Sequence, residues 1–327
     1  MRRLLIGFAV GALLVATTAC GSSESPGSSG PSGSGKGSGS GTTTLKVGVI
    51  PIVDVAPLYL GQEKGFYSKR GIKLELTTAQ GGAAIVPGVV SGQFQFGFSN
   101  MTSLMIAQTN NVPVKAVVNG ASSTGVEGED FGALTVKKGS AIKTAKDLEG
   151  KKVAVNTLKN INETAVRESV RKAGGDPDKV KFVELAFDQM PAALDKGQID
   201  AAMVVEPALA TIKGQGGSAI ASSLVDVAKG LTVAMYFTST QYAQQNPELV
   251  KKFQEATAES LAYASEHPDE VREIVTTYTK IPAATLEKVT LPKWPAEPNR
   301  ASIEALAALG EKDGLFKSSP DLDTLLP

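Results

Sequence analysis

Cysteine is almost missing from this 327-residue chain: Cys20 is the only one, beside one histidine, His267, and one tryptophan, Trp294. A single thiol excludes an intramolecular disulfide, and one Cys with one His cannot supply the usual ligand set of a zinc site. Aromatic residues are scarce at 6%, and neither sign of charge dominates, with 33 basic residues against 33 acidic. No basic excess points to nucleic acid, and no apolar run after the first twenty residues is long enough to cross a bilayer. Catalytic motifs are missing too. "GFSNM" (97–101) has Met101 where a nucleophile elbow requires glycine. "GQGGSA" (214–219) lacks the lysine of a phosphate-binding loop and the spacing of a dinucleotide fingerprint. His267 stands in "EHPDEV" between two helical patterns and reads as a loop residue.

What is present begins with a basic start, Arg2-Arg3, and an apolar stretch from Leu4 to Ala16, followed by Thr17-Thr18-Ala19. This is the layout of a secretory signal over residues 1–19, too short to span a membrane. Cleavage after Ala19 leaves Cys20 first, which resembles the lipobox of bacterial lipoproteins, with Thr17 in the place usually held by leucine. The resemblance implies a diacylglycerol on the Cys20 sulfur and an acylated amino terminus, palmitate being a typical chain. More than one acyl chain anchors stably where a single chain would be marginal. An ordinary signal peptide with an incidental cysteine is the alternative.

Of the 21 residues from Gly21 to Gly41, 17 are Gly or Ser. Such a segment cannot bury enough apolar surface to order itself, and as a flexible coil it spans about 25 Å r.m.s.. Residues 20–43 thus read as a lipidated cysteine with a tether. The remaining 286 residues from Thr42 contain no cysteine, so the hydrophobic core has to carry their stability.

Here short apolar strands alternate with helical patterns, which argues an α/β architecture with largely parallel sheets. Strands are predicted at 44–50, 72–77, 94–98 and 114–118, with helices over 56–71, 83–91 and 101–109. A second set follows: strands at 152–156, 180–185 and 200–205, helices at 161–173 and 190–196. Beyond Pro247 the pattern is helical. There Leu249, Val250, Phe253, Ala256, Leu261 and Ala264 share one face, with Asn246 as N-cap and Pro247 at N1.

"VVSGQFQFGF" (89–98) also aligns with "LDKGQIDAAM" (194–203), 105 residues later. Each is a helix end, a capping glycine (Gly92, Gly197) and a strand, which suggests two lobes of related build. "FGALTVKKGS" (131–140) and "LTVAMYFTST" (231–240) are placed to cross between them. Lobe 1 is then 44–136 with 232–327, and lobe 2 is 137–231. Two hinge strands permit closure around a ligand.

These features resemble the substrate-binding proteins of ABC importers. "LYLGQEKGFYSKRGIKLEL" (58–76) and "LDKGQIDAAMVVEPALA" (194–210) are similar to two signatures of the nitrate/sulfonate/taurine-binding and thiamine-pyrimidine-precursor-binding family. Val205 departs from the second, where many members have an aromatic residue. The resemblance implies a two-lobed type II periplasmic-binding-protein fold, with two mixed sheets flanked by helices and two hinge crossings. It further implies a monomeric, lipid-anchored receptor on the extracytoplasmic face of the cell membrane. Such a receptor needs no cofactor, and its partners are a small solute, an ABC permease and its ATPase. Eukaryotic synthases of pyrimidine precursors share the superfamily, but they carry a cysteine-rich motif that is missing here. A surface lipoprotein that senses ligand without delivering it shares every feature above.

In open α/β sheets ligands bind beyond the carboxyl ends of strands, near helix N-termini. Five segments qualify. Asp54 follows the first strand and reads either as a helix cap or as a ligand contact. Ser99 and Asn100 stand at the next helix start with the same two readings. Ser122, Ser123 and Thr124 open a long polar loop whose Glu127, Glu129 and Asp130 read as a solvated acidic run. Asn156 and Thr157 end a lobe-2 strand. Asn160 and Glu163 fit a capping box instead, and Glu163–Arg167 and Glu168–Lys172 fit i,i+4 ion pairs. Glu206 is the sharpest candidate: glutamate is a poor N-cap, and Pro207 suits N1. Within the expected solute classes (aminopyrimidine-like, sulfonate, nitrate or taurine), carboxylates in a cleft favour an amine- or amidine-bearing ligand such as an aminopyrimidine over sulfonate or nitrate, because a buried charge needs a partner. Lys159 is the only cation near these segments.

Overall fold

A computed structural model describes residues 41–281 and 283–327. Cys20, the signal segment and most of the tether fall outside the described residues. The described residues make one compact unit.

Two five-stranded sheets organise it. The first contains β1 (Thr43–Val49), β2 (Ile72–Thr78), β3 (Phe96–Asn100), β4 (Val114–Ser122) and β10 (Thr232–Ser239), in the order β2-β1-β3-β10-β4. The second contains β5 (Gly132–Val136), β6 (Lys152–Val155), β7 (Lys181–Glu184), β8 (Ala201–Val205) and β9 (Ser218–Ala221), in the order β7-β6-β8-β5-β9. The two orders are one topology used twice. In each sheet the first three strands are parallel, and the fourth, β10 or β5, runs antiparallel to its neighbours. The strands of the internal repeat, β3 and β8, hold the same central place.

Helices follow the strands. Around the first sheet lie α1 (Ala56–Glu63), α2 (Gly82–Val90) and α3 (Met101–Thr109). Around the second lie α4 (Ile161–Lys172), α5 (Met190–Asp195), α6 (Ala208–Gly214) and α7 (Ser223–Val227). The C-terminal third adds α8 (Thr240–Gln245), α9 (Pro247–Glu266), α10 (Pro268–Val275), α11 (Ala283–Leu286), α12 (Arg300–Lys312) and α13 (Leu322–Leu325).

β8 is buried on both faces and reads as a continuous apolar run, whereas β3 lies two residues beyond the expected 94–98 and ends on the buried polar pair Ser99-Asn100. The first predicted helix is shorter than its pattern. α1 stops at Glu63 because Gly65 takes φ +78° and lets Phe66 N donate back to Gly61 O at 2.8 Å, closing a Schellman turn. On α9, Val250, Phe253, Ala256, Leu261 and Ala264 are buried and Leu249 half-buried. Phe253 stacks on Phe96 with centroids 3.8 Å apart, and burial of such a side chain contributes about 1.5–3 kcal/mol. A Cβ on Gly61 would come within 1.8 Å of Ser260 Oγ, so only glycine lets α1 approach α9 this closely.

The two crossing strands differ from expectation in one respect. Each lies wholly in one sheet, and the connections run through 123–131 and 222–231. Gly132–Val136 pairs with β8 and β9, so these five residues belong with the second sheet and not with the first, where a break after 136 puts them.

Candidate functional site

A small cavity lies between the two sheets, at the carboxyl ends of their parallel strands. From the first sheet it is lined by Ile50, Ile52, Asp54, Phe98 and Asn100. From the second come Asn156, Asn160, Ile161, Asn162, Phe187 and Val205, and β10 adds Val233 and Ala234. Its volume is about 30 Å3, room for about two waters. Most of the wall is apolar, and its polar members are one carboxyl group and four amides.

Asp54 is the group that the protein itself leaves unanswered. It is 1% exposed, and its Oδ1 finds no hydrogen-bond partner. The cap reading fails, because its side chain makes no cap bond to either neighbouring helix. Burial pushes its carboxyl up to about 7 against a modest lowering by its own N–H, with the Asp130 charge adding to the rise. The loop carrying it is fixed from three sides. Trp294 Nε1 donates to Asp54 O at 3.1 Å, Tyr278 Oη to Ile52 O at 3.0 Å, and Val53 N to Glu206 O at 3.1 Å.

The opposite wall is an asparagine cluster. Asn156 Oδ1 accepts from Asn160 Nδ2 and Asn162 Nδ2, both at 2.8 Å. Asn160 also caps α4, its Oδ1 accepting from Asn162 N and Glu163 N. Asn160 is thus at once the cap of α4 and a member of the cluster. Glu163 accepts from Lys159 N at 2.8 Å, one residue short of the capping box, and pairs with Arg167 at 3.2 Å. Glu168 pairs with Arg171 and not with Lys172, because Arg171 lies three residues on and reaches it at 3.3 Å.

Asn100 is both cap and wall: its Oδ1 accepts from Ser103 N at 2.9 Å while the residue lines the cavity. The other expected residues stand elsewhere. Ser99 is fully buried against Gly82, where a Cβ would lie 2.0 Å from its Oγ. Thr157 faces Gly81 across the cleft, 2.4 Å from where a Cβ would sit. Ser122 Oγ is buried without a partner and outside the cavity wall. Ser123 Oγ and Thr124 N donate to Asp130 at 2.6 and 2.9 Å. Asp130, read as solvated, is in fact 2% exposed and ties this loop together, whereas Glu127 and Glu129 are exposed.

Glu206 is the main correction. It is not in the cavity wall. Its Oε2 accepts from Ala210 N at 2.9 Å and its Oε1 from Thr290 N at 3.2 Å, so it closes the start of α6 and holds the C-terminal segment. Burial raises its carboxyl to about 7, partly offset by these two N–H groups and by Lys213. Glutamate is a poor N-cap, but four positions before Ala210 its carboxylate reaches the same unpaired donors.

Among the described residues no group of three or more His, Cys, Asp or Glu side chains could hold a metal, and no helix is long and apolar enough to cross a membrane. His267 stacks on Tyr263 at 3.8 Å, away from the cavity wall.

Known proteins share this layout. The family described as NMT1/THI5 like matches residues 52–271. The taurine-binding periplasmic protein of Escherichia coli is 26% identical over 204 residues, 62% of this chain and 61% of that protein, so the likeness spans less than two thirds of the relative. The 4-amino-5-hydroxymethyl-2-methylpyrimidine phosphate synthase of Legionella pneumophila is 24% identical over 223 residues, 67% of this chain and 68% of that enzyme. Among solved structures, the alkanesulfonate-binding protein SsuA of Xanthomonas axonopodis pv. citri, bound to MOPS, superimposes with a TM-score of 0.73. At 17% identity it covers 87% of this chain and 98% of that one, which shows a common periplasmic-binding-protein-like fold. With the family match running through both sheets and into α10, this chain belongs to the NMT1/THI5-like family.

Proposed function

We propose that this protein is the extracytoplasmic solute-binding component of an ABC importer, held at the cell membrane by lipid on Cys20. It captures a small polar solute between two lobes, closes by bending at the 123–131 and 222–231 connections, and docks on a permease with its ATPase. The first sheet with the C-terminal helices forms one lobe and the second sheet the other. The observation that carries this reading is the unpaired, buried carboxyl of Asp54, facing an asparagine cluster across a cavity between the two sheets.

A buried carboxylate is costly unless the ligand answers it, so the solute brings a cationic or hydrogen-donating group. No lysine or arginine is in the cavity wall, which argues against a bare oxyanion such as nitrate. Amines, amidines and aminopyrimidines fit, and so does taurine, whose ammonium would face Asp54. Synthase chemistry has little support: the one cysteine, Cys20, is taken up by the lipid anchor, and His267 is stacked away from the cavity.

A thermal-shift screen over amines, aminopyrimidines, taurine, alkanesulfonates and nitrate tests the reading. Stabilisation by a donor-bearing solute that disappears in Asp54→Asn is the expected result. Stabilisation by nitrate alone, or by none of these solutes, would count against it. For the anchor, Cys20→Ser should release the protein to the medium with its solute binding intact, and continued membrane retention would refute that part.

A further inference from the structure

We infer that Phe187 is a gate dividing a two-part site, in which the donor-rich head of a solute occupies the inner cavity and a flat apolar body lies beyond Phe187 in an outer groove. This rests on the solute-binding reading above.

Phe187 stands on the turn between β7 and α5 and is 9% exposed. It lines the inner cavity, a hollow of about 340 Å3 beside Gln80, and an outer groove of about 600 Å3. Of all the residues lining these three spaces, it alone borders every one. The inner cavity holds about two waters, so a solute of more than a few heavy atoms cannot fit wholly inside it. The outer groove has the size of ordinary small-molecule sites, about 300–1,000 Å3. Its wall is largely apolar, with Pro51, Pro191, Pro207, Ala208, Tyr278 and Ile281.

The other walls of the inner cavity resist movement. Asn100, Asn156 and Asn160 are held by side-chain hydrogen bonds, and the Ile52–Asp54 loop by Tyr278 and Trp294. Phe98, Val205, Val233 and Ala234 sit on central strands. Phe187 has a ring without polar tethers on a short turn, so turning about its side-chain bonds is the least costly way to join the spaces.

Accessibility of the inner cavity tests the gate without any solute. In a Cys20→Ser background, Ala234→Cys is labelled with 2-aminoethyl methanethiosulfonate, with Phe187 either intact or changed by Phe187→Ala. The gate predicts labelling about tenfold faster in the Phe187→Ala protein, as expected when local opening controls access. Ala116→Cys, in the buried core of the first sheet, should be labelled at the same rate in both. Equal rates at Ala234→Cys, or equal acceleration at both positions, would overturn the gate. The second arm is calorimetry with methylamine, which is all head, and benzamidine, which has an aromatic body. Phe187→Ala should change benzamidine affinity about fivefold or more beyond any change in methylamine affinity. An equal effect on both overturns the two-part site. Failure of both to bind the unaltered protein overturns the donor-head assignment and the solute reading behind it, while the labelling result still decides the gate.

Discussion

Gln80 and Asn156 exchange hydrogen bonds across the cleft. Gln80 Nε2 donates to Asn156 O at 2.8 Å, and Asn156 Nδ2 donates to Gln80 O at 3.4 Å. Gln80 follows β2 of the first sheet and Asn156 follows β6 of the second, so the pair exists only when the two sheets are drawn together. Asn156 also anchors the asparagine cluster, which links closure to the shape of the cavity wall.

Gln80→Ala removes the stronger of these bonds. Since a neutral hydrogen bond contributes about 1 kcal/mol net, solute affinity should fall roughly fivefold, mostly through faster release. Stopped-flow dissociation of the solute found by screening measures it. An unaltered off-rate would mean that Gln80 does not latch the closed form.

Gly81→Ala places a Cβ 2.4 Å from Thr157 Oγ1 and 3.1 Å from Asn156 Nδ2. The backbone at Gly81 is extended (φ −170°), so alanine is not strained there and the effect falls on the contact with Thr157. The variant should favour the open form, with a larger radius of gyration in X-ray scattering and weaker solute binding. Adding Thr157→Ala takes away the clashing oxygen and should restore most of the affinity, a coupling that a double-mutant cycle quantifies.

Asp54 gives a pH prediction. Its carboxyl lies at about 7 in the folded protein against an ordinary 3.8. The folded state therefore keeps this proton to higher pH than the unfolded chain does, and the group's contribution to stability declines as pH rises from about 4 to about 7. Asp54→Asn should match the unaltered protein in Tm near pH 4 and exceed it at pH 8, with surface carboxylates cancelling in the difference. Affinity for a cationic solute should fall about tenfold or more, the scale of a hydrogen bond to a charged group. A variant with lower Tm at pH 8 would refute the assignment of Asp54 as an unanswered buried carboxyl.

Glu206→Ala leaves the buried N–H of Ala210 and the half-buried N–H of Thr290 without their acceptor and should destabilise the fold by about 1–3 kcal/mol. Glu206→Gln, which keeps one acceptor oxygen, should lose less and bind solute normally once folded. Urea unfolding with parallel calorimetry separates the two effects. Unchanged stability with lost affinity would return Glu206 to the solute site.

Much of the fold was legible because its signals are local. Apolar runs mark the central strands, Gly92 and Gly197 end their helices at φ +80° and +67°, and the repeated helix–Gly-Gln–strand segment announced two sheets of one topology. Asp54, Asn100 and Asn156, which line the cavity, were legible as candidates because they follow strand ends, where an α/β fold gathers its polar loops. Phe187 and Asn162 were missed, since nothing local distinguishes a phenylalanine in a turn or an asparagine in the first turn of a helix.

The sequence by itself determined the alternation of strands and helices, the capping glycines and the polar strand ends, because each depends on neighbours a few residues away. The tertiary structure decided which polar groups are already answered. Glu206 finds Thr290 and Asp130 finds Ser123, and both become braces. Asp54 finds nobody, because the strands that bury it bring apolar walls and amides already bonded to one another. A carboxyl's role here depends on whether a donor from elsewhere in the chain arrives at its oxygens, and only the folded arrangement of the two sheets brings those donors in or keeps them out.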